Sequence, residues 1–369
     1  MNRREWLAAT AGVVGGLAGC LSAPTAEDGG QAASPGDRAE PVDPVAATAD
    51  VDLPVDRADL RRGADRDAIP AVVDPAFASD PDGRLADDDL VIGVARGGEA
   101  RAYPLAVMRS HEVVNDTLGG PLLVTYCPLC ASAVVARRRV GGEATTFGVS
   151  GLLYRSDLVL YDAATDSLWS QILAQALRGP RTGERLDLVP STLTTWAAWR
   201  RERGRTPVLL APPDSETVTP PFEVGTDAGY ESRGTVGVGG SRGRLGDDRL
   251  PAGTPVVGVA TERAATAYPV EAVREAGVIN DRVGRLPVVV AAGPTPHAYV
   301  RRVDDRVPVF EPAGDGRMVG ADSEWSVVTG RAVSGAHEGR RLGPATRASP
   351  MNWFAWAEFR PDTDVYGRP

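Results

Sequence analysis

Lysine is absent from this chain of 369 residues, so all 40 basic residues are arginine. Histidine and cysteine occur three times each. That supply excludes a zinc site built from four cysteines of one chain. Aromatic residues make up only 6%. No apolar run reaches the roughly 20 residues that a membrane-spanning helix needs. A surplus of positive charge is missing too: 40 basic residues face 49 acidic ones, for a formal net charge of -9. Such a chain has no global field for nucleic acid, which is not expected as a partner. Arginine without lysine, beside many aspartates, reads as the composition of a GC-rich, salt-adapted source, a halophilic archaeon.

Glycine (42) and proline (30) are plentiful, so many turns and short elements are expected. The N-terminus reads as an address. Arg3-Arg4 precedes the short apolar stretch Leu7 to Gly19, in the order of a twin-arginine export signal. Leu17-Ala18-Gly19-Cys20 resembles a lipobox, which makes Cys20 the lipidation site. The expected product is a protein on the extracytoplasmic face of the cell membrane, held by lipid and without a spanning helix. Residues 1–19 are then a signal peptide. Residues 20–67, poor in aromatics and rich in Ala, Pro, Gly and Asp, read as a flexible tether.

The remainder repeats itself. Val91-Ile92-Gly93-Val94-Ala95 and Tyr103-Pro104 return 165 residues later as Val256-Val257-Gly258-Val259-Ala260 and Tyr268-Pro269. Asn115-Asp116 returns as Asn280-Asp281, Trp169 as Trp325, and the pair Trp196 and Trp199 as Trp353 and Trp356. A first copy over 68–205, a connector or elaboration over 206–252 and a second, degenerate copy over 253–369 are expected. Short β-prone runs predict strands over 91–95, 100–103, 122–126, 133–139, 145–149 and 158–161. Short helices are predicted from Pro104 and over 193–203. The expected fold class is mostly β or α+β: two tandem, related, pseudo-symmetric copies with short helices.

Tyr126-Cys127-Pro128-Leu129-Cys130 carries the chemistry. Beyond Cys20 these are the only cysteines, and their spacing permits a local disulfide, an exchanging dithiol, or two thiolates on one metal. At the positions matching Cys127, Cys130 and His111 the second copy has Ala292, Thr295 and Ala276. Features in both copies are candidates for structure; features in one copy are candidates for a site. Cys127, Cys130 and His111 are therefore the candidate catalytic or metal-ligating residues, with Met108 as a further ligand. Tyr126, Tyr154, Asp157 and Gln171 are candidate linings of a cofactor pocket. Mixed sulfur and nitrogen ligation suits copper or iron better than magnesium or calcium. Three readings stand side by side: a metal or redox site, a dithiol-disulfide oxidoreductase, and a noncatalytic scaffold with a structural disulfide. Asn115-Asp116, present in both copies, reads as side-chain-to-backbone bonding in a turn.

His111-Glu112-Val113-Val114-Asn115-Asp116, Val124 to Cys130, Phe147 to Tyr154, Ser156 to Asp162 and Ser167 to Gln171 together resemble the DUF3179 family. The resemblance spans about residues 70 to 369 and is most specific in the first copy. It implies an exported or lipid-anchored protein of archaea or bacteria. It brings no reaction, substrate or cofactor. The family pattern has Gly after the second cysteine, where this chain has Ala131.

Overall fold

The structure, a computed structural model, describes residues 51–79, 85–218 and 247–368. The expected signal peptide and the lipidation site at Cys20 lie outside these residues.

Alternating apolar residues and short turns make the chain a series of small antiparallel sheets. Leu90–Arg96 and Glu99–Pro104 form a hairpin closed by Gly97 and Gly98, whose φ angles of 62° and 85° suit glycine in a two-residue turn. Their sheet is completed by Ser191–Thr195, Val208–Leu209 and Phe77–Ala78. A second sheet runs Glu216–Thr217, Val72–Asp74, Val113–Asp116, Leu122–Cys127, Ser132–Ala136. A third runs Leu60–Arg62, Phe147–Tyr154, Asp157–Asp162, Leu168–Ser170, Gln175–Arg178. Three further sheets follow: one around Pro255–Ala260 and Ala265–Pro269, one of Val278–Val283, Leu286–Ala291 and His297–Val300, and one from Glu311–Gly314 to Ala332–Gly335.

These six sheets are the blades of a β-propeller, and this corrects the expected architecture of two tandem pseudo-symmetric copies. The blade is the structural unit, and strands distant in sequence complete it. Ser191–Thr195 pairs with Leu90–Arg96, and Met351–Asn352 pairs with Pro255–Ala260. Packing also crosses the expected boundary between copies. Asn352 donates from its backbone to Cys130 O (2.8 Å) and from Nδ2 to Leu129 O (3.0 Å). Glu202 meets Arg317 at 2.6 Å.

The repeated motifs are blade-level devices. Gly93 and Gly258 lie directly beneath the indoles of Trp199 and Trp356. Tyr103 and Tyr268 donate their hydroxyls to Asp116 (2.5 Å) and Asp281 (2.9 Å). Asn115 bonds both the N–H and the carbonyl of Phe147, and Asn280 does the same to Phe310. The side-chain-to-backbone bonding expected of Asn115 is present, but it joins strands of neighbouring sheets instead of closing a turn.

Order begins inside the stretch expected to be a tether. Leu60–Arg62 pairs with Phe147–Tyr154, and Val55 N donates to Leu177 O. Both described ends of the expected connector likewise hold structure, with Val208–Leu209 and Glu216–Thr217 lying in blades. Among the described residues the α-helices are Leu105–His111, Trp196–Arg203, Val270–Ala276 and Trp353–Phe359. The helix expected from Leu193 begins at Trp196, because Leu193 belongs to a strand and the Thr195 side chain caps Ala198 N. Among the described residues no helix is long and apolar enough to cross a membrane.

Candidate functional site

Strand Leu122–Cys127 separates two cores. Leu122, Val124 and Tyr126 face one, with Met108, Tyr103 and Leu105; Leu123 and Cys127 face the other, with Cys130, Phe147 and Trp169. Period-two alternation thus sends Tyr126 and Cys127 to opposite sides. Tyr126 packs in the first core beside Arg109, with its pKa raised by burial and, to a lesser degree, by both cysteines. Met108 is fully buried in that same far core and is corrected from metal ligand to packing residue.

The strand ends at Cys127, paired across the hairpin with Ser132. Pro128 to Ala131 make the turn, with Ala131 in the left-handed region at φ 54°. The turn folds Cys130 back so that its N–H meets Cys127 Sγ at 3.3 Å. Both cysteines are free thiols, 1% and 0% exposed. Cys130 Sγ in turn donates to Ser156 O at 3.3 Å.

Ser156 belongs to the turn that delivers the third member. Arg155 and Ser156, at φ 49° and 63°, form a two-residue turn without glycine, and Asp157 follows at the start of its strand. Non-glycine residues held there carry local strain of roughly 1 kcal/mol each or more. One sulfur from each cysteine and one oxygen of Asp157 all lie within 4.8 Å of one another.

Asp157 is 0% exposed. Its Oδ2 accepts from Ser170 Oγ (2.5 Å) and Ile172 N (3.2 Å), whereas Oδ1 is buried without a hydrogen-bond partner. Burial pushes its pKa up to about 7, against the pull of hydrogen bonds from Ser170, Ile172, Gln171 and Leu158. Burial also drives the Cys130 thiol well above its ordinary value; Cys127, Asp157 and Glu112 add to the rise. Without a metal, Cys130 and Asp157 therefore favour protons over charge. A buried carboxylate oxygen lacking a partner is costly unless something else meets it. Asp162, equally buried, shows the contrast: its oxygens take bonds from Thr165, Ser167 and Trp169.

The three donors suit a cation that accepts sulfur and oxygen together, with tetrahedral zinc the simplest match and a fourth position left over. His111 is not in the cluster. Its ring is buried, Nδ1 lies 2.8 Å from Pro70 O, and burial lowers its pKa. The donor set expected as Cys127, Cys130 and His111 is thus assembled with Asp157 in the third place. Tyr154 packs beside Phe359 and Arg155. Gln171 spends its side-chain bonds on the cysteine hairpin.

Asp157 was visible in the sequence only as a pocket-lining candidate.

The DUF3179 family model, described as a protein of unknown function, matches residues 66–363, and the chain belongs to this family. No curated protein and no solved structure matches it.

Proposed function

We propose that this DUF3179 member is a metal-binding β-propeller that holds one thiophilic divalent cation between Cys127, Cys130 and Asp157. The observation that carries the reading is the partnerless Oδ1 of Asp157, buried in one cluster with two sulfurs. Fully ionised, the three groups would put three negative charges in a desolvated pocket, so a cation is the natural complement. Zinc fits this set better than the copper or iron suggested by cysteine and histidine together, because the imidazole is replaced by a carboxylate and zinc takes thiolate and carboxylate ligands together in a tetrahedral site.

Binding replaces protons. The cation displaces the Cys130 proton, which burial holds on the thiol, and below about pH 7 the Asp157 carboxyl proton as well. Affinity accordingly falls as the solution is acidified. The expected twin-arginine leader and lipidation at Cys20 support a site working at the outer face of the membrane.

A dithiol-disulfide exchange is the second reading, favoured by a carboxyl group of pKa about 7 beside Cys130 that can take its proton. Both thiols would pass two electrons and two protons to a partner disulfide. Burial of both sulfurs weighs against exchange with a bulky partner.

Leaderless protein purified under reducing, zinc-replete conditions should carry one zinc per chain by elemental analysis. Cys127→Ala and Asp157→Ala should lose it, and His111→Ala should retain it. A metal-free wild type whose thiols exchange readily with disulfide reagents would contradict the metal reading and favour the second.

A further inference from the structure

The three donors come from two different blades. The cysteines stand on the hairpin of Leu122–Cys127 and Ser132–Ala136, and Asp157 opens the strand Asp157–Asp162 of the next sheet. No covalent link fixes the carboxylate relative to the sulfurs, yet a metal site tolerates errors of only about 0.5 Å.

One short segment touches both sides. At the end of Leu168–Ser170, Ser170 Oγ and Ile172 N hold Asp157 Oδ2. Between them Gln171 faces the other hairpin. Its Nε2 donates to Thr125 Oγ1 (3.1 Å) and Ser132 O (3.2 Å), and its Oε1 accepts from Ser132 Oγ (3.0 Å). Ser132 is the residue paired with Cys127 across the hairpin, and Thr125 lies two positions before Cys127 on the same strand. Gln171 N donates to Leu158 O, beside Asp157. The side chain is buried, and both ends of its amide are engaged by protein.

We infer that Gln171 is the positioning residue of the site, bracing the cysteine hairpin against the segment that grips Asp157; the inference rests on the metal reading above. An amide is suited to this place because it donates and accepts from one planar group. A glutamate would turn an oxygen toward Ser132 O, and a leucine would fill the volume without the bonds. The counterpart blade supports the assignment. There Trp325-Ser326 is followed by Val327, and Ala292 and Thr295 stand in place of the cysteines.

The test is Gln171→Leu, with Ser132→Ala as a milder variant that removes only the bond to Oε1. In zinc competition against a chromophoric chelator, Gln171→Leu should bind ten- to a hundredfold more weakly, as losses of supporting contacts around metal ligands do. Its circular dichroism should match wild type. In the cobalt-substituted protein the sulfur-to-cobalt charge-transfer band should weaken or shift. Ser132→Ala should move both readouts the same way by less. A readout without metal accompanies them: in the metal-free protein Gln171→Leu should speed amide hydrogen exchange in the cysteine hairpin and at the start of Asp157–Asp162 while the other blades exchange as in wild type. Unchanged affinity and cobalt spectrum in folded Gln171→Leu would overturn the inference. A wild type that takes up neither zinc nor cobalt would sink the metal reading alone; the exchange rates then decide, and identical rates in both proteins would overturn the positioning role.

Discussion

Asp157 is a carboxyl group that the fold makes hard to ionise. It has given up water, gained hydrogen bonds on one oxygen only, and sits near two thiols. Its folded pKa of about 7 stands above the unfolded value of 3.8. Folding therefore favours the protonated form, and the associated stability is complete below about pH 4. It is lost as pH rises from 4 to 7, by on the order of 4 kcal/mol, and is flat above. His297 and His111, whose pKa values burial lowers, contribute the opposite slope over this window, so the test is a difference. In urea titrations of metal-free protein, the stability of wild type relative to Asp157→Asn, which cannot ionise at this position, should fall from pH 4 to 7, and added zinc should reverse that fall. A difference between the two profiles that stays flat between pH 4 and 7 would refute the assigned burial. At this scale the cysteines were legible because they are so few. Asp157 was named in the sequence but not ranked, because only the turn at Arg155 and Ser156 brings it to the sulfurs. His111 was ranked through its position in one copy alone, yet its ring is directed to Pro70.

Each hairpin owes its shape to a few local rules, and two of these create a contact that a single methyl group would break. A Cβ at Gly93 would stand 2.3 Å from the Trp199 indole, and at Gly258 it would stand 2.1 Å from the Trp356 indole. Gly93→Ala and Gly258→Ala should each destabilise the protein by roughly 1–3 kcal/mol as the indole is forced aside. Unchanged denaturation midpoints would show that helices Trp196–Arg203 and Trp353–Phe359 do not dock as described. The sequence made these elements visible through alternation, through Gly-Gly and Pro at turns, and through the paired tryptophans. It did not reveal the edge strands. Leu60–Arg62 is too short and too charged to read as a strand, and it becomes one only because Phe147–Tyr154 offers a free edge. Leu193 looked helical for the opposite reason: the boundary is set by one capping side chain, Thr195.

At the scale of the molecule, repeated motifs were read as two copies, whereas the chain divides into six blades. Periodicity and spacing report which residues recur, and they are silent on which distant strands close each sheet. Asn115 and Asn280 show the point: each recurs because it clamps a neighbouring sheet, and that role needs the assembled propeller. The same assembly creates the cluster, whose three side chains come from two blades and whose cysteine turn is held by Asn352 from a third. X-ray absorption at the zinc edge of the loaded, full-length protein tests that convergence most directly. Two sulfur neighbours at about 2.3 Å with oxygen neighbours at about 2.0–2.2 Å are predicted, and Asp157→Ala treated alike should hold no zinc in such a shell. A first shell of nitrogen and oxygen only, or a shell indifferent to Asp157, would contradict it.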